Sequence, residues 1–200
     1  ALGQVISTTD PLGNTTRYGY DAYGHQTVVT DALGYTAVYT YDLVGRLLGE
    51  CDGLGRVTHY TYDDAGRLLT TTDALGGVTS ITYDAVGNRT SVTTPAGGAT
   101  IYTYDEKDRL AVTIDPLGHT ITATFDAVSN QTASTDPLGH TTAYGYDALN
   151  QHTSTTDPEG NQSSYAYDAS SNRTMITDAN GHATAYTYDE LNQLTAMTDA

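Results

Sequence analysis

An aromatic residue followed by aspartate recurs at a fixed interval along this chain: Tyr20-Asp21, Tyr41-Asp42, Tyr62-Asp63, Tyr83-Asp84, Tyr104-Asp105, Phe125-Asp126, Tyr146-Asp147, Tyr167-Asp168 and Tyr188-Asp189. Every step is 21 residues, and no insertion or deletion interrupts the nine copies. Self-similarity at such a period marks a repeat architecture, in which each unit packs mainly on its sequence neighbours. Residues 1–200 are therefore read as a single repeat array.

Each repeat contains two turn signals. Asp10-Pro11-Leu12-Gly13 places proline where its fixed φ suits the second position of a type I turn, and glycine where φ can become positive. The copies run from Asp31-Ala32-Leu33-Gly34 to Asp178-Ala179-Asn180-Gly181, with Thr94-Pro95-Ala96-Gly97 the one departure. The second signal follows the aromatic-aspartate pair. Its decisive position holds Gly24, Gly45, Gly66, Gly87, Asp108, Ser129, Asn150, Ser171 and Asn192, residues that tolerate a left-handed backbone and so predict a bulged hairpin connection. Between the turns lie Thr- and Tyr-rich runs such as 15–20, 26–30, 36–41, 57–62 and 68–72, whose β-branched and aromatic side chains suit a pleated sheet. No stretch sustains helical apolar spacing, so no helix is expected. The prediction is an all-β chain of antiparallel β-hairpin repeats, two short strands per repeat and about eighteen overall.

Tyr18 and Tyr20, Tyr39 and Tyr41, and Tyr60 and Tyr62 stand two apart, which puts each pair on one sheet face, while Gly19, Thr40 and Thr61 between them are small and face the other way. A single sheet with one aromatic face does not exclude water from it. The sheet is therefore expected to curl, to pack on another layer or to close into a tube.

Composition alone points elsewhere. Leu, Ile, Val and Phe supply 34 of 200 residues and the formal charge is −16, a combination typical of disorder. The phased columns overrule that reading, because the 17 tyrosines return regularly and 18 of the 24 acidic residues fall in two turn columns, where Asp accepts hydrogen bonds from the amides ahead of it. With eight dispersed Lys and Arg residues, the chain lacks the clustered positive charge of a nucleic-acid partner. No apolar run approaches the about 20 residues of a membrane-spanning helix. Residues 1–30 lack a signal-peptide pattern, so an export signal would lie outside this stretch. Cys51 is the one cysteine, which excludes an internal disulfide.

No catalytic, cofactor-binding or metal-binding residue is assigned. His119, His140 and His182 share one column, but equivalent positions of successive hairpins lie two strands, about 9.6 Å, apart, too far to share a zinc ion. The Asp columns lack the nonapeptide pattern of calcium-binding β-rolls. Thr94, Phe125, Glu106-Lys107-Asp108 and Cys51 break the pattern without forming a nucleophile, base and orienting group. Sequons at Asn14, Asn88, Asn130, Asn161 and Asn172 arise where a turn asparagine precedes a strand hydroxyl residue.

Tyr62-Asp63-Asp64-Ala65-Gly66-Arg67-Leu68 and Tyr41-Asp42-Leu43-Val44-Gly45-Arg46-Leu47, with their phased copies along essentially the whole chain, resemble the hallmark of the Rhs or YD-repeat proteins. The resemblance implies a long sheet spiralling into a hollow shell, as in toxin-encapsulating components of bacterial insecticidal complexes, polymorphic toxins and teneurins. It implies a non-enzymatic structural segment, secreted or at the cell surface, that encloses or displays a toxin or other cargo encoded elsewhere in a longer chain. Its expected partners are neighbouring repeats of the same or an adjacent chain and an encapsulated toxin domain. Self-processing members carry a core segment after the repeats, and no protease residue transfers to this chain. Two other readings stay open, a surface adhesin that stacks glycans on its tyrosines and an extended extracellular fibre. Both ends fall inside a repeat, at Val5-Ile6 and Asp199-Ala200, so the chain is expected to be part of a longer array.

Overall fold

The computed structural model describes residues 3–199. Contacts divide the chain into two units, residues 1–100 and 101–200. The first contains β1 (Ser7–Thr9), β2 (Thr15–Tyr20), β3 (Gln26–Thr30), β4 (Thr36–Tyr41), β5 (Leu47–Cys51), β6 (Val57–Tyr62), β7 (Leu68–Thr72), β8 (Val78–Tyr83) and β9 (Arg89–Thr93). The boundary falls within β10 (Ala99–Tyr104), and the second unit continues with β11 (Leu110–Ile114), β12 (Thr120–Phe125), β13 (Gln131–Thr135), β14 (Thr141–Tyr146), β15 (His152–Thr156), β16 (Gln162–Tyr167), β17 (Arg173–Thr177), β18 (Ala183–Tyr188) and β19 (Leu194–Asp199). Nineteen antiparallel strands form one unclosed sheet and no helix is present among the described residues. The runs 15–20, 26–30, 36–41, 57–62 and 68–72 are strands with the bounds read from the sequence. The strand beyond the expected eighteen is β1, the second half of a repeat.

Both turns have the same backbone. Gly13 N–H donates to Asp10 O at 3.0 Å and Asp10 N–H to Asn14 O at 3.0 Å; the aromatic-aspartate turn repeats this with Gly24 to Asp21 and Asp21 to His25. Glycines 13, 24, 45, 55 and 66 take positive φ, and so do Asp108, Ser129, Asn150, Ser171 and Asn192 at φ 59 to 78°. This is the left-handed column expected from the sequence.

The two hairpins differ in register. Around the Asp-Pro-Leu-Gly turn only three residue pairs form, as in Val28↔Val38, Val29↔Ala37 and Thr30↔Thr36. Around the aromatic-aspartate turn the ladder is longer and shifts before the last aromatic residue, from Thr40↔Gly49 to Tyr41↔Leu47. Leu48 is thus left without an opposite residue, a β-bulge that recurs in every hairpin of this type.

The faces divide as the alternation predicts. In β6, Thr58, Tyr60 and Tyr62 are half-buried and Val57, His59 and Thr61 exposed. On the small-residue face threonines pair across the bulged hairpins, Thr61 with Thr70 at 2.6 Å and Thr82 with Ser91 at 2.7 Å. Among the described residues no apolar side chain is buried, and the strand tyrosines stay half-exposed.

Gly66 tests the turn. At φ +83° a valine is strained whatever the surrounding space, so Gly66→Val should cost about 1–3 kcal/mol, whereas Gly66→Asn should cost less. Gly19 has ordinary φ but faces Val28 Cβ at 3.3 Å from an added Cβ, so the milder control in a strand is Gly19→Ala. Urea denaturation should rank Gly66→Val as the most damaging; equal losses for all three would refute the hairpin assignment.

Candidate functional site

The element common to every repeat is the turn aspartate. Asp42 Oδ1 accepts the N–H groups of Val44 (3.0 Å) and Arg46 (2.9 Å), and its Oδ2 accepts Arg46 Nε at 2.6 Å. Asp10 does the same with Leu12 N, Asn14 N and Asn14 Nδ2. One carboxylate thereby closes a five-residue loop. Its charge is held by these bonds: burial raises the Asp42 pKa, but the amide and guanidinium of Arg46 outweigh it and hold the group below its ordinary value. Arg109 does this most strongly, its side-chain hydrogen bond taking Asp105 down to about 2.

On the aromatic-aspartate rim the same side chains also reach the next repeat. Arg67 bonds its own Asp63 through Nε at 2.7 Å, lies 4.7 Å over the Tyr83 ring and donates from Nη1 to Asp84 O at 3.2 Å. Arg46 over Tyr62 and Arg109 over Phe125 repeat the arrangement, with Nη1 on Asp63 O and Asp126 O. His25 replaces arginine in the first copy, bonding Asp21 at 2.9 Å and stacking on Tyr41 at 5.0 Å. Asn130 and Asn172 reach Asn150 and Asn192 one repeat on, at 3.0 and 2.8 Å. Lys107 Nζ donates to Ala127 O.

The aromatic residue of the pair has a second task. Tyr41 OH donates to Gln26 O at 2.9 Å, Tyr62 OH to Leu47 O at 2.9 Å and Tyr83 OH to Leu68 O at 3.0 Å, each 15 residues back. Those carbonyls open the odd strands where the three-pair ladder has already ended, so the phenol satisfies a backbone group that the splayed hairpin leaves unmatched.

The remaining chemistry-bearing residues are dispersed. His119, His140 and His182 each bond the aspartate of their own turn at 2.8 to 3.0 Å. Among the described residues no three His, Cys, Asp or Glu side chains converge on a metal position. The Cys51 thiol contacts Asp52 O at 3.7 Å. His152 lies among Tyr144, Tyr146 and Tyr165, with ring centroids 5.9, 5.4 and 4.9 Å away. Glu50, which the column reading passed over, stands opposite Tyr39 and accepts the Tyr60 hydroxyl at 2.9 Å. Burial, and then that bond, push the Tyr60 phenol up to about 12. Its signal in the sequence is a lone carboxylate in a column otherwise of Val, Thr, Ser, Ile and Met.

The RHS Repeat pattern matches residues 1–37, 41–78, 83–120, 125–161, 146–183 and 176–200. The chain belongs to the RHS repeat family. Its fold is that of segments within much larger assemblies. A crystal structure of TcdB2-TccC3-Cdc42 matches with a TM-score of 0.58 at 19% identity, over 98% of this chain and 14% of that one. A crystal structure of TcdB2-TccC3 matches with a TM-score of 0.56 at 18% identity, over the same shares of 98% and 14%. A Photorhabdus luminescens Tc holotoxin pore matches with a TM-score of 0.52 at 20% identity, over 96% and 13%. This RHS chain therefore spans about one-seventh of the length of those chains. No curated protein is matched.

Two outcomes follow from the seam. Tyr83→Phe should lose about 0.5–1.5 kcal/mol and Phe125→Tyr, which supplies the missing hydroxyl, should gain a similar amount in urea denaturation. A loss in Phe125→Tyr would show that the carbonyl of Leu110 does not need the phenol. Because Asp42, Asp63 and Asp105 titrate below the ordinary 3.8 when folded, their contribution is complete above that value and is lost as pH falls from 3.8 toward the folded values. Stability measured against pH should be flat in this respect above about 5 and fall below about 4; a rise on acidification would contradict the assignment.

Proposed function

We propose that this chain is a wall segment of an Rhs-type shell, without enzymatic activity of its own, in a longer array that encloses or displays a toxin or other cargo encoded elsewhere in the same protein. The observation that carries this is the seam. The recurring Asp, Arg and Tyr side chains are engaged in closing turns or tying one repeat to the next, and the fold matches segments of the TcdB2-TccC3 structures. An extracellular or cell-surface location and contact with a toxin domain follow as part of the same reading. The test is limited proteolysis of the longer protein that contains these repeats. Sequence carried beside the array should survive protease while the array is intact, and become sensitive once it is unfolded by acid. Equal sensitivity before and after would overturn enclosure.

The adhesin reading has one observation in its favour, the half-exposed cluster of Tyr144, Tyr146 and Tyr165 around His152. Glycan binding by the folded chain, lost in Tyr144→Ser with Tyr146→Ser, would favour it. The shell reading expects no such binding.

A further inference from the structure

Departures from the repeat are scattered along the sequence, but four of them meet at one cavity of the first unit. It measures about 390 Å³ and lies beside the Asp-Pro-Leu-Gly rim, with Ala37, Tyr39, Glu50, Arg56, Thr58 and Asp73 among its walls. Ala37 is the one alanine in a column of Thr, Ser and Ile, Glu50 the one carboxylate in its column, Cys51 the one cysteine and Arg56 the one arginine. Alanine in place of threonine gives room, and the neighbouring departures bring in charge. A cavity of similar size in the second unit, about 330 Å³ between Leu110, Val112, Ile121 and Phe125, has no charged side chain in its walls.

The charges around the first cavity do not cancel. Arg56 Nε donates to Asp52 Oδ2 at 2.6 Å, which pairs those two groups within their own turn. Glu50 accepts the Tyr60 hydroxyl at 2.9 Å through Oε1, and its Oε2 has no donor among the described residues. Asp73 spends Oδ1 on the amides of Leu75 and Gly77. In the turns of Asp10, Asp52 and Asp115 the other oxygen is taken by the side chain at the fifth position, but the fifth position after Asp73 is Gly77, and Oδ2 has no donor among the described residues. Two carboxylates are therefore uncompensated at one cavity.

That arrangement selects its ligand by charge and shape. An anion is repelled. A metal ion lacks its ligand set, because no three His, Cys, Asp or Glu side chains converge among the described residues. An organic ammonium suits the walls: the carboxylates supply charge-assisted acceptors, Tyr39 an aromatic surface for a cation, and Ala37 and Ala74 an apolar lining for its hydrocarbon. Glu50 lies on β5 and Asp73 follows β7, two strands or about 9.6 Å apart at the backbone. A short chain with an ammonium at each end serves both, where a single ammonium does not. The volume is also in the range of small-molecule sites, which begin at about 300 Å³.

We infer that this cavity is a binding site for a small aliphatic diamine, with Glu50 and Asp73 each holding one ammonium group. The site goes beyond the shell reading and is independent of it: a wall encloses cargo whether or not this cavity is filled, and a diamine binds here whatever the array contains.

Isothermal titration calorimetry of the repeat-bearing protein with cadaverine at low salt tests it. Binding should be saturable. Glu50→Val supplies the residue found at positions 29 and 92, and Ala37→Thr the one found at 16 and 58; each should weaken binding several-fold while circular dichroism shows the sheet intact. Asp73→Asn keeps the Oδ1 acceptor and should weaken binding likewise, whereas Asp136→Asn, in the same turn column, should leave it unchanged. Pentylamine, with one ammonium group, should bind several-fold more weakly than cadaverine. Absence of saturable binding, an equal loss in Asp136→Asn, indifference to Glu50→Val, or equal affinity for pentylamine would each overturn the inference.

Discussion

Everything regular in this sheet depends on one carboxylate used twice. In the aspartate turns Oδ1 takes the amide four residues ahead and, in most, the one two ahead, as Asp52 does with Arg56 and Leu54, while the backbone closes the same five residues from both sides. The loop is specified within itself, and strand direction reverses without help from distant residues. That is why a chain with so few aliphatic residues and so much acid still has a defined fold: 18 of the 24 acidic residues stand in the turn columns, and Asp42, Asp115 and Asp126 are held ionised by amides and by Arg, His or Asn side chains.

A sheet built this way does not need a core, and none is present among the described residues. Cohesion comes instead from neighbours, in the manner of other quasi-one-dimensional arrays. Two contacts carry it from one hairpin to the next. The phenol of Tyr62 or Tyr83 closes the splayed end of the three-pair hairpin, and the guanidinium of Arg46 or Arg67 stacks on that same ring while bonding its own and the following turn. The Tyr, Asp, Gly and Arg of the repeat hallmark thus form one connected unit, and they do so on one rim only.

Turn chemistry was legible in the sequence because it is local: Gly66 and Asn150 hold positive φ, and the strand bounds at Thr36, Tyr41, Leu68 and Thr72 coincide with the expected ones. The seam was not, because its contacts join positions 15, 17 or 20 residues apart and belong to no single repeat. A 21-residue alignment of the copies shows that Tyr41 recurs, but not that its hydroxyl serves Gln26. The bulge at Leu48 escaped for a related reason, since it follows from how two registers are reconciled across a strand and leaves no residue type of its own. Glu50 was visible as an odd carboxylate among Val29, Thr71 and Val92, yet only the fold places it under the Tyr60 hydroxyl.

The absence of insertions has the same origin as the turn. Hairpin loops elsewhere lengthen at small thermodynamic cost, about 0.6 kcal/mol per doubling. Here a residue added between Asp42 and Arg46 would carry the second amide away from Oδ1 and the guanidinium away from both Oδ2 and the ring of Tyr62. The Asp-Pro-Leu-Gly rim lacks that second constraint. Asp73 and Gly77 close their turn without a side chain at the fifth position, and Thr94 replaces the aspartate altogether, its hydroxyl donating to Gly98 O. The one loss of a turn aspartate thus falls on the rim where only the turn must be satisfied, while the aromatic-aspartate rim keeps its aspartate in all nine copies.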